Sequence, residues 1–167
     1  MRWRTIDRID GFEPWATISA RKVVSFEEGA LLERFGRDGE YPFTLAVEGC
    51  VEAARWLVAA SSGFTSICLL EAIDSFRLEE RIETGDCLQV SVGISERTGE
   101  ALTADCRIER RGRIIGTGAI SLTVASLGEH CDPGSEATLW RELHGKAGLR
   151  NPELASGEGA EGAGHVK

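Results

Sequence analysis

The sequence predicts an α+β fold in which an antiparallel sheet wraps around one long central helix. Two observations predict it: a long apolar segment with helical character follows Pro42, and three strictly alternating segments follow one another later in the chain. The chain has 167 residues, 42% of them hydrophobic, which suits one domain able to bury a sizeable core. We therefore expect a single globular domain.

The first strand is predicted in "WATISARKVVS", which is rich in β-branched residues and follows the breaker Pro14. The loop "FEEGALLERFGRDGEY" comes next, with a helical turn expected over residues 28–35. Its glycines and the following Pro42 mark the end of this loop.

The central helix is predicted to begin near Pro42, because proline is favoured in the first turn of a helix. Small and apolar residues continue from there through Val58, so the helix should be largely buried. Its polar exceptions, Glu48, Glu52 and Arg55, are spaced by four and three residues and therefore share one stripe. This stripe is either a functional site or a polar helix face with an ion pair.

Strand patterns dominate the chain after Gly63. The segment "TSICLLEAIDSFRLEERI" is predicted to be extended and bent, and "CLQVSVGIS", "ALTADCRIER" and "RIIGTGAISLTVAS" then alternate strictly. The joins "RTGE" and "RRGR" are short turns that contain glycine, which indicates three antiparallel strands. The inward-facing residues are predicted to be Leu88, Val90, Val92, Ile94, Leu102, Ala104, Cys106, Ile108, Ile114, Gly116, Gly118, Ile120, Leu122 and Val124.

The composition changes beyond Ser126. We expect the main domain to cover residues 1–125 and an extension to cover residues 126–149. In "DPGSEATLWRELHGKAG" a short helix is predicted, with Ser135 as its N-cap, Glu136 in its first turn and Gly145 as its stop. Residues 150–167 are rich in Gly, Ala and Glu and are predicted to be disordered.

Charge and composition exclude several classes of protein. The formal net charge of −8 argues against a general nucleic-acid binder, which needs a basic face to neutralise phosphates. No apolar run is long enough for a membrane span, and the N-terminus lacks the apolar core of a signal peptide. We therefore expect a cytoplasmic protein without a membrane partner. The five cysteines show no C-x-x-C spacing and are expected to be reduced, and neither a metal nor a cofactor is expected.

Two motifs carry a family resemblance over about residues 3–125. The helix motif "PFTLAVEGCVEAA" and the strand motif "AIDSFRLEERIETGDCLQVSV" resemble the hotdog-fold β-hydroxyacyl-acyl-carrier-protein dehydratases of fatty acid synthesis. The strand motif is the more specific, because Ile73-Asp74, Arg77 and Gly85-Asp86 match together ahead of an alternating strand. The resemblance implies a hotdog fold.

The resemblance also implies a mechanism. In that family a His-Phe pair before the helix and a Glu on the helix meet across a dimer interface, beside a tunnel for an acyl thioester. The His removes the α-proton of a 3-hydroxyacyl thioester, and the carboxyl group helps the β-hydroxyl leave as water. A backbone N–H at the helix start polarises the thioester carbonyl. Expected partners are thus an acyl-carrier protein or a coenzyme A thioester, and a second hotdog subunit, either identical or paralogous.

The catalytic positions of the family fall on Glu48 and Arg34 when they are counted from Pro42. Glu48 occupies the position of the family Glu, but the family His position holds Arg34, which stays protonated and cannot act as a general base. If the loop follows the family path, the Arg34 guanidinium is expected near Glu48 across the dimer interface.

The residues expected to contact substrate surround the helix start and its second turn. A phenylalanine replaces the glycine that usually follows the proline, and a glutamate replaces the family's glutamine one turn after its Glu. Two carboxylates one turn apart should repel each other unless Arg34 or Arg55 pairs with them. The expected substrate contacts are Phe35, Pro42, Phe43, Thr44 and Glu52.

Three hypotheses about function follow. The first is an acyl-thioester dehydratase of low or altered activity, in which Glu48 is the acid–base residue. The second is a non-catalytic hotdog subunit that binds an acyl chain or pairs with an active paralogue supplying the His. The third is a hotdog thioesterase, in which a carboxylate activates water for attack on the thioester carbonyl.

Structural roles are expected for the other conspicuous residues. Asp74 and Asp86 are expected to fix turns, and Trp56 and Trp140 to pack in the core. The basic hairpin is either a solvated turn or a docking patch for an acidic carrier protein, and it contains Arg107, Arg110, Arg111 and Arg113.

Overall fold

The computed structural model describes residues 5–34 and 40–144, with the backbone alone for residues 31–34. Its elements are β1 (Arg8–Glu13), β2 (Thr17–Val23), α1 (Phe26–Arg34), α2 (Phe43–Ser61), β3 (Ser66–Leu78), β4 (Cys87–Thr98), β5 (Ala101–Arg110), β6 (Arg113–Ser126), a 3₁₀ turn (Leu127–Glu129) and α3 (Pro133–His144).

The strands form one sheet of six in the order β1-β2-β4-β5-β6-β3 within the described ranges. Every neighbouring pair is antiparallel. Helix α2 packs against β2, β3, β4 and β5. The predicted α+β architecture, an antiparallel sheet around one long helix, is confirmed.

Helix α2 is central because almost every residue of it is small or apolar. It begins at Phe43, directly after Pro42, as predicted. Its buried residues form most of the core on the helix side, and they are Ala46, Val47, Gly49, Cys50, Val51, Ala53, Ala54, Trp56, Leu57, Val58 and Ala59. Only a narrow stripe of the helix is left for polar side chains.

Strand β1 was not predicted from the sequence, whereas β2 corresponds to the predicted first strand. The register between β1 and β2 shifts between Ile9 and Gly11, which marks a bulge. The bulge leaves the apolar residues Ile9 and Phe12 three positions apart, so the strand lacks the alternation by which strands are identified.

A second bulge makes one predicted core residue wrong. Ile108 pairs with Gly116 and Glu109 pairs with Ile114, so Ile115 is the extra residue. Ile115 is fully buried, whereas Ile114 is 44% exposed. An inserted residue reverses the faces on one side of the bulge, so strict alternation assigned the wrong isoleucine to the core.

The predicted hairpins and the predicted bend are confirmed. Arg111 and Gly112, between β5 and β6, both have positive φ angles, of 54° and 77°, as a tight two-residue hairpin turn requires. Strand β3 carries two register shifts against β6, one between Leu70 and Ala72 and one between Ile73 and Ser75. These irregularities bend the strand.

Helix α3 begins three residues earlier than predicted, so the assignment of Ser135 as its N-cap is wrong. Pro133 is its first residue, and the Asp132 carboxylate accepts hydrogen bonds from the Ser135 N–H at 2.8 Å and from its hydroxyl at 2.7 Å. An Asp before a first-turn Pro is a strong helix start. The predicted stop at Gly145 and the predicted disorder of residues 150–167 lie outside the described residues.

Aromatic contacts attach α3 to the rest of the fold. The Trp140 ring lies 5.1 Å from Phe12 in an edge contact, 6.0 Å from Trp56 and 6.3 Å from Phe64, measured between centroids. Leu143 of the same helix is buried in the core. Trp56 and Trp140 are therefore packing residues, as predicted, and the extension packs against β1 and α2.

All five cysteines are free thiols, and Cys50, Cys68 and Cys106 are buried. Across residues 5–34 and 40–144, no helix combines the length and the apolar character needed to cross a membrane.

Candidate functional site

The polar stripe of α2 contains an ion pair. Arg55 Nη1 lies 2.8 Å from Glu48 Oε1, and the two side chains are 33% and 43% exposed. The two residues are seven positions apart, which places them two turns apart on the same helix face. The predicted stripe is confirmed, and within the described residues the guanidinium that contacts Glu48 belongs to Arg55.

Glu52, between these two residues on the stripe, holds the N-terminal segment. Its Oε2 accepts a hydrogen bond from the backbone N–H of Thr5 at 2.8 Å, and the Thr5 hydroxyl donates to the same oxygen. Thr5 is itself buried. The Glu52 carboxylate is therefore engaged in fixing the segment ahead of β1 against α2.

A pocket of about 310 Å³ opens over this stripe. The helix supplies one wall, and the opposite walls come from Thr5, from Ile67 at the start of β3, and from the C-terminal extension through Leu127 and Glu136. Glu136 is only 8% exposed. The described residues that line it are Thr5, Leu45, Glu48, Glu52, Arg55, Trp56, Ala59, Ile67, Leu127 and Glu136.

The pocket combines apolar walls with three carboxylates and one guanidinium. Such a mixture, with a few polar groups converging on a mostly apolar cavity, is typical of small-molecule sites. Acidic groups outnumber the basic one among these lining residues.

The start of α2 lies at the end of the stripe opposite Arg55. Pro42 is the N-cap, and its carbonyl accepts from the Leu45 N–H at 3.0 Å and the Ala46 N–H at 3.2 Å. The N–H groups of Phe43 and Thr44 come before the first of these bonds and have no acceptor within the helix, and both residues are exposed. The helix start can therefore present N–H donors to an oxygen. Pro42, Phe43 and Thr44 are not in the lining of the pocket, whereas Leu45 is.

The Phe43 ring is held by β3. It lies 5.4 Å from Phe76 in an edge contact. Phe76 in turn lies across Gly118 of β6, where a Cβ would be 2.3 Å from Phe76 Cδ2 and 2.6 Å from the Ser75 carbonyl oxygen. Only glycine at position 118 allows this close approach. The packing also positions Phe43, the bulky residue that replaces the glycine of the family motif.

Arg34, which occupies the position of the family His, lies at the end of α1. Arg34 is the last residue of that helix, its side chain is outside the described part of the chain, and Phe35 lies in the undescribed range 35–39. The predicted contact of Arg34 with Glu48 therefore stays a prediction. Of the histidines within 5–34 and 40–144, His130 and His144, neither lines the pocket.

The buried thiols beside the site are protonated. The contact with Cys106 and burial raise the pKa of Cys50 well above its usual range, and burial raises the pKa of Cys68 to about 12. A thiol in that state is a poor nucleophile. In the described part of the chain no group of three His, Cys, Asp or Glu side chains is arranged to hold a metal ion.

The basic hairpin is largely neutralised by acidic neighbours. Arg110 contacts Asp86 at 2.7 Å and Glu80 at 2.5 Å, and it donates to the Arg81 carbonyl. Asp86 also accepts from the Glu83 N–H at 2.9 Å, which confirms its role in a turn. Arg110 therefore acts as a structural link between the β5–β6 hairpin and the segment before β4.

Two polar residues that line the pocket were missed by the sequence interpretation. Thr5 lies ahead of the first predicted strand, and Glu136 was assigned only to a helix start. No local pattern places either residue near Glu48, since the contact of Thr5 with Glu52 spans 47 positions. Arg55 could be found because helical spacing alone places it on the stripe.

The fold and this site define a hotdog-type domain with a carboxylate and a pocket on its central helix. No protein-family model matches the chain. The chain is 29% identical over 124 residues to the 3-hydroxyacyl-[acyl-carrier-protein] dehydratase FabZ of Nitrosospira multiformis, which covers 71% of this chain and 84% of that protein.

Solved structures share the fold at low sequence identity. A hot-dog-like protein from Thermanaerovibrio acidaminovorans is 12% identical with a TM-score of 0.58, covering 81% of this chain and 96% of the other. The dehydratase heterocomplex ApeI:P from Xenorhabdus doucetiae is 16% identical with a TM-score of 0.58, covering 72% and 82%. A hypothetical thioesterase with coenzyme A from Streptococcus pneumoniae is 12% identical with a TM-score of 0.55, covering 71% and 85%.

The chain is therefore similar in sequence to a FabZ dehydratase, and its fold is the hotdog fold. These findings confirm the resemblance that the helix and strand motifs predicted.

Proposed function

We propose that this protein binds acyl thioesters at the start and along the polar stripe of α2, and that it takes part in dehydration of 3-hydroxyacyl groups. The observation that carries the proposal is the placement of Glu48. By the resemblance of the helix motif it stands where the dehydratases have their glutamate, and it lines a pocket on the central helix of a hotdog domain. The thioester would be carried by an acyl-carrier protein or by coenzyme A.

Glu48 is the proposed acid–base residue, and Arg55 is its positioning residue. Dehydration removes the α-proton and expels the β-hydroxyl, which leaves as water after accepting a proton. The ion pair with Arg55 at 2.8 Å fixes the orientation of the carboxylate. The first N–H groups of α2 would stabilise the negative charge that develops on the thioester oxygen.

A complete site needs a base that this chain does not supply at the family position. Arg34 stands there and cannot accept a proton at working pH. We therefore propose that full activity requires a second hotdog subunit bearing the His, and that the homodimer is slow. Loss of acid–base assistance typically lowers a rate by about 10²- to 10⁴-fold, while acyl binding can persist.

The sharpest test measures hydration of an enoyl thioester by the purified protein, alone and after mixing with a His-bearing hotdog paralogue. The proposal expects slow turnover alone and a rate increase of at least about 100-fold in the mixture. Glu48→Gln should abolish that increase, whereas Glu129→Gln, an exposed change outside the pocket, should not.

Two outcomes would contradict this proposal. Turnover at ordinary enzyme rates by the protein alone, unaffected by Glu48→Gln, would make Glu48 a structural helix residue. Release of free thiol from a saturated acyl thioester, lost in Glu48→Gln, would instead establish the thioesterase hypothesis.

A further inference from the structure

A buried ion pair attaches α1 to the sheet. Lys22, near the end of β2, is only 4% exposed, and its Nζ lies 2.7 Å from Glu28 Oε1. The Asp7 carboxylate lies 3.8 Å from the same nitrogen. The other oxygen of Glu28 accepts a hydrogen bond from the Ser25 N–H at 2.8 Å, and the Ser25 hydroxyl accepts one from the Glu28 N–H at 3.1 Å. This reciprocal arrangement is a capping box, so one carboxylate both starts α1 and pairs with the sheet.

Few of the described side chains of α1 are buried. Of residues 26–30, the part of this helix whose side chains the structure describes, only Glu28 and Gly29 are not exposed. Gly29 packs so closely that a Cβ at this position would collide with the Thr84 side chain. Among these residues, the attachment of α1 therefore depends on one glycine contact and on the Lys22–Glu28 pair.

The same polar cluster reaches the start of α2. Tyr41 is 2% exposed and directly precedes Pro42, the N-cap of α2. Burial raises the pKa of the Tyr41 phenol, and the charge of Glu28 raises it further. Glu28 is thus a residue of α1 that acts on the start of α2. The proposed reaction depends on where both helices stand, because α1 ends at Arg34 and α2 carries Glu48.

The pair is better suited to fixing a position than to adding stability. Removing a lysine and a carboxylate from water costs free energy that largely offsets their attraction, so a buried pair is weak evidence for stability. A hydrogen bond between two charged groups is nevertheless strong and short. While Lys22 and Glu28 stay paired, the start of α1 has few alternative placements.

We propose that Lys22 is a positioning residue: through Glu28 it holds α1, and with it position 34, where the proposed reaction needs its base. Lys22 thus serves the proton-accepting half of the site, which is distinct from the half that Glu48 supplies. The inference rests on the proposed function, because position 34 has a role only if the protein takes part in the dehydration of acyl thioesters.

The test measures enoyl-thioester hydration in two arrangements that separate the halves of the site. An Arg34→His protein alone supplies both the imidazole and Glu48, whereas the parent chain mixed with a His-bearing hotdog paralogue supplies Glu48 alone. A displacement of about 1 Å at a reacting group can cost about 100-fold in rate, so adding Lys22→Met should reduce the gain from Arg34→His by at least about tenfold. In the mixture, Lys22→Met should leave kcat and KM within about twofold of the parent values, because the partner positions its own His.

Two further variants make the result specific. Glu28→Gln removes the charge but keeps an oxygen that can accept from Ser25, so it should reduce the gain by about threefold, and it decides the question if Lys22→Met fails to fold. Arg21→Met removes a cation from the neighbouring position of β2, where the guanidinium pairs with Asp10 and is 45% exposed, and it should leave the gain unchanged.

The failures of the two proposals are distinguishable. A chain that hydrates no enoyl thioester, either as the Arg34→His protein or in the mixture, overturns the proposed function and the inference with it. Activity in the mixture without any gain from Arg34→His overturns the inference alone, and so does a gain that stays within about twofold in both Lys22→Met and Glu28→Gln. An equal loss in the two arrangements also overturns the inference, because it would show that Lys22 only stabilises the fold.

Discussion

Replacing Arg55 by methionine removes the charge facing Glu48 and keeps most of the length of the side chain. The pair is partly exposed, at 33% and 43%, and joins one nitrogen to one oxygen at 2.8 Å. Exposed pairs of this kind contribute about 0.2–1 kcal/mol to stability. For a domain of this size, 1 kcal/mol moves Tm by about 2–4 °C, so Arg55→Met should lower Tm by no more than about 4 °C.

The expected effect on catalysis is much larger. Without the guanidinium, the Glu48 carboxylate is free to rotate away from the substrate, and a displacement of about 1 Å at a reacting group can cost about 100-fold in rate. We therefore expect kcat for enoyl-thioester hydration, measured with the His-bearing partner present, to fall by about 100-fold. Arg55→Lys keeps the charge and should recover most of the lost rate.

Arg21→Met is the matched control. Arg21 Nη2 lies 3.0 Å from Asp10 Oδ2 with 45% of its side chain exposed, on β2 and outside the pocket. It should lower Tm by a similar amount and leave kcat unchanged. The reasoning fails if Arg55→Met keeps the parent kcat, or if both variants lose activity in proportion to their loss in Tm.

Four further outcomes are expected. Arg34→His should raise the activity of the homodimer above that of the parent in the hydration assay, because imidazole titrates near neutral pH. Adding Glu48→Gln to this variant should abolish the gain, whereas adding Glu52→Gln should have a smaller effect. Light scattering should show a dimer or a multiple of it, since β3 is an edge strand with exposed apolar side chains; a stable monomer at micromolar concentration contradicts this. Deletion of residues 151–167 should change Tm by less than about 5 °C, because their composition offers little apolar surface to bury. Burial raises the pKa of Asp86, but the Glu83 N–H and Arg110 together hold that pKa below its ordinary value of 3.8. The contribution of Asp86 to stability is therefore present above pH 3.8 and is lost as the pH falls through the lower pKa of the folded state. Asp86→Asn should flatten this loss of stability at acid pH in denaturant titrations, and an unchanged pH dependence would contradict the prediction.

The elements that could be predicted are those in which one local pattern decides the structure. An unbroken apolar helix specifies α2, and strict alternation specifies β4 and β5, since burial on one face requires a period of two. The errors in the strands fall where an inserted residue breaks that period, at the β1 bulge and at Ile115 in β6. Bulges depend on how two strands pair, which a single strand's sequence does not record.

The candidate site divides in the same way. Glu48, Glu52 and Arg55 lie within two turns of one helix, so their common stripe follows from helical geometry alone. Thr5 and Glu136 reach the pocket only because the N-terminal segment and α3 both pack onto α2, and that packing depends on the tertiary fold. The part of the site proposed to carry the chemistry was thus predictable from local sequence. The other walls of the pocket are formed by segments far apart in the chain, and they became apparent only once the fold was known.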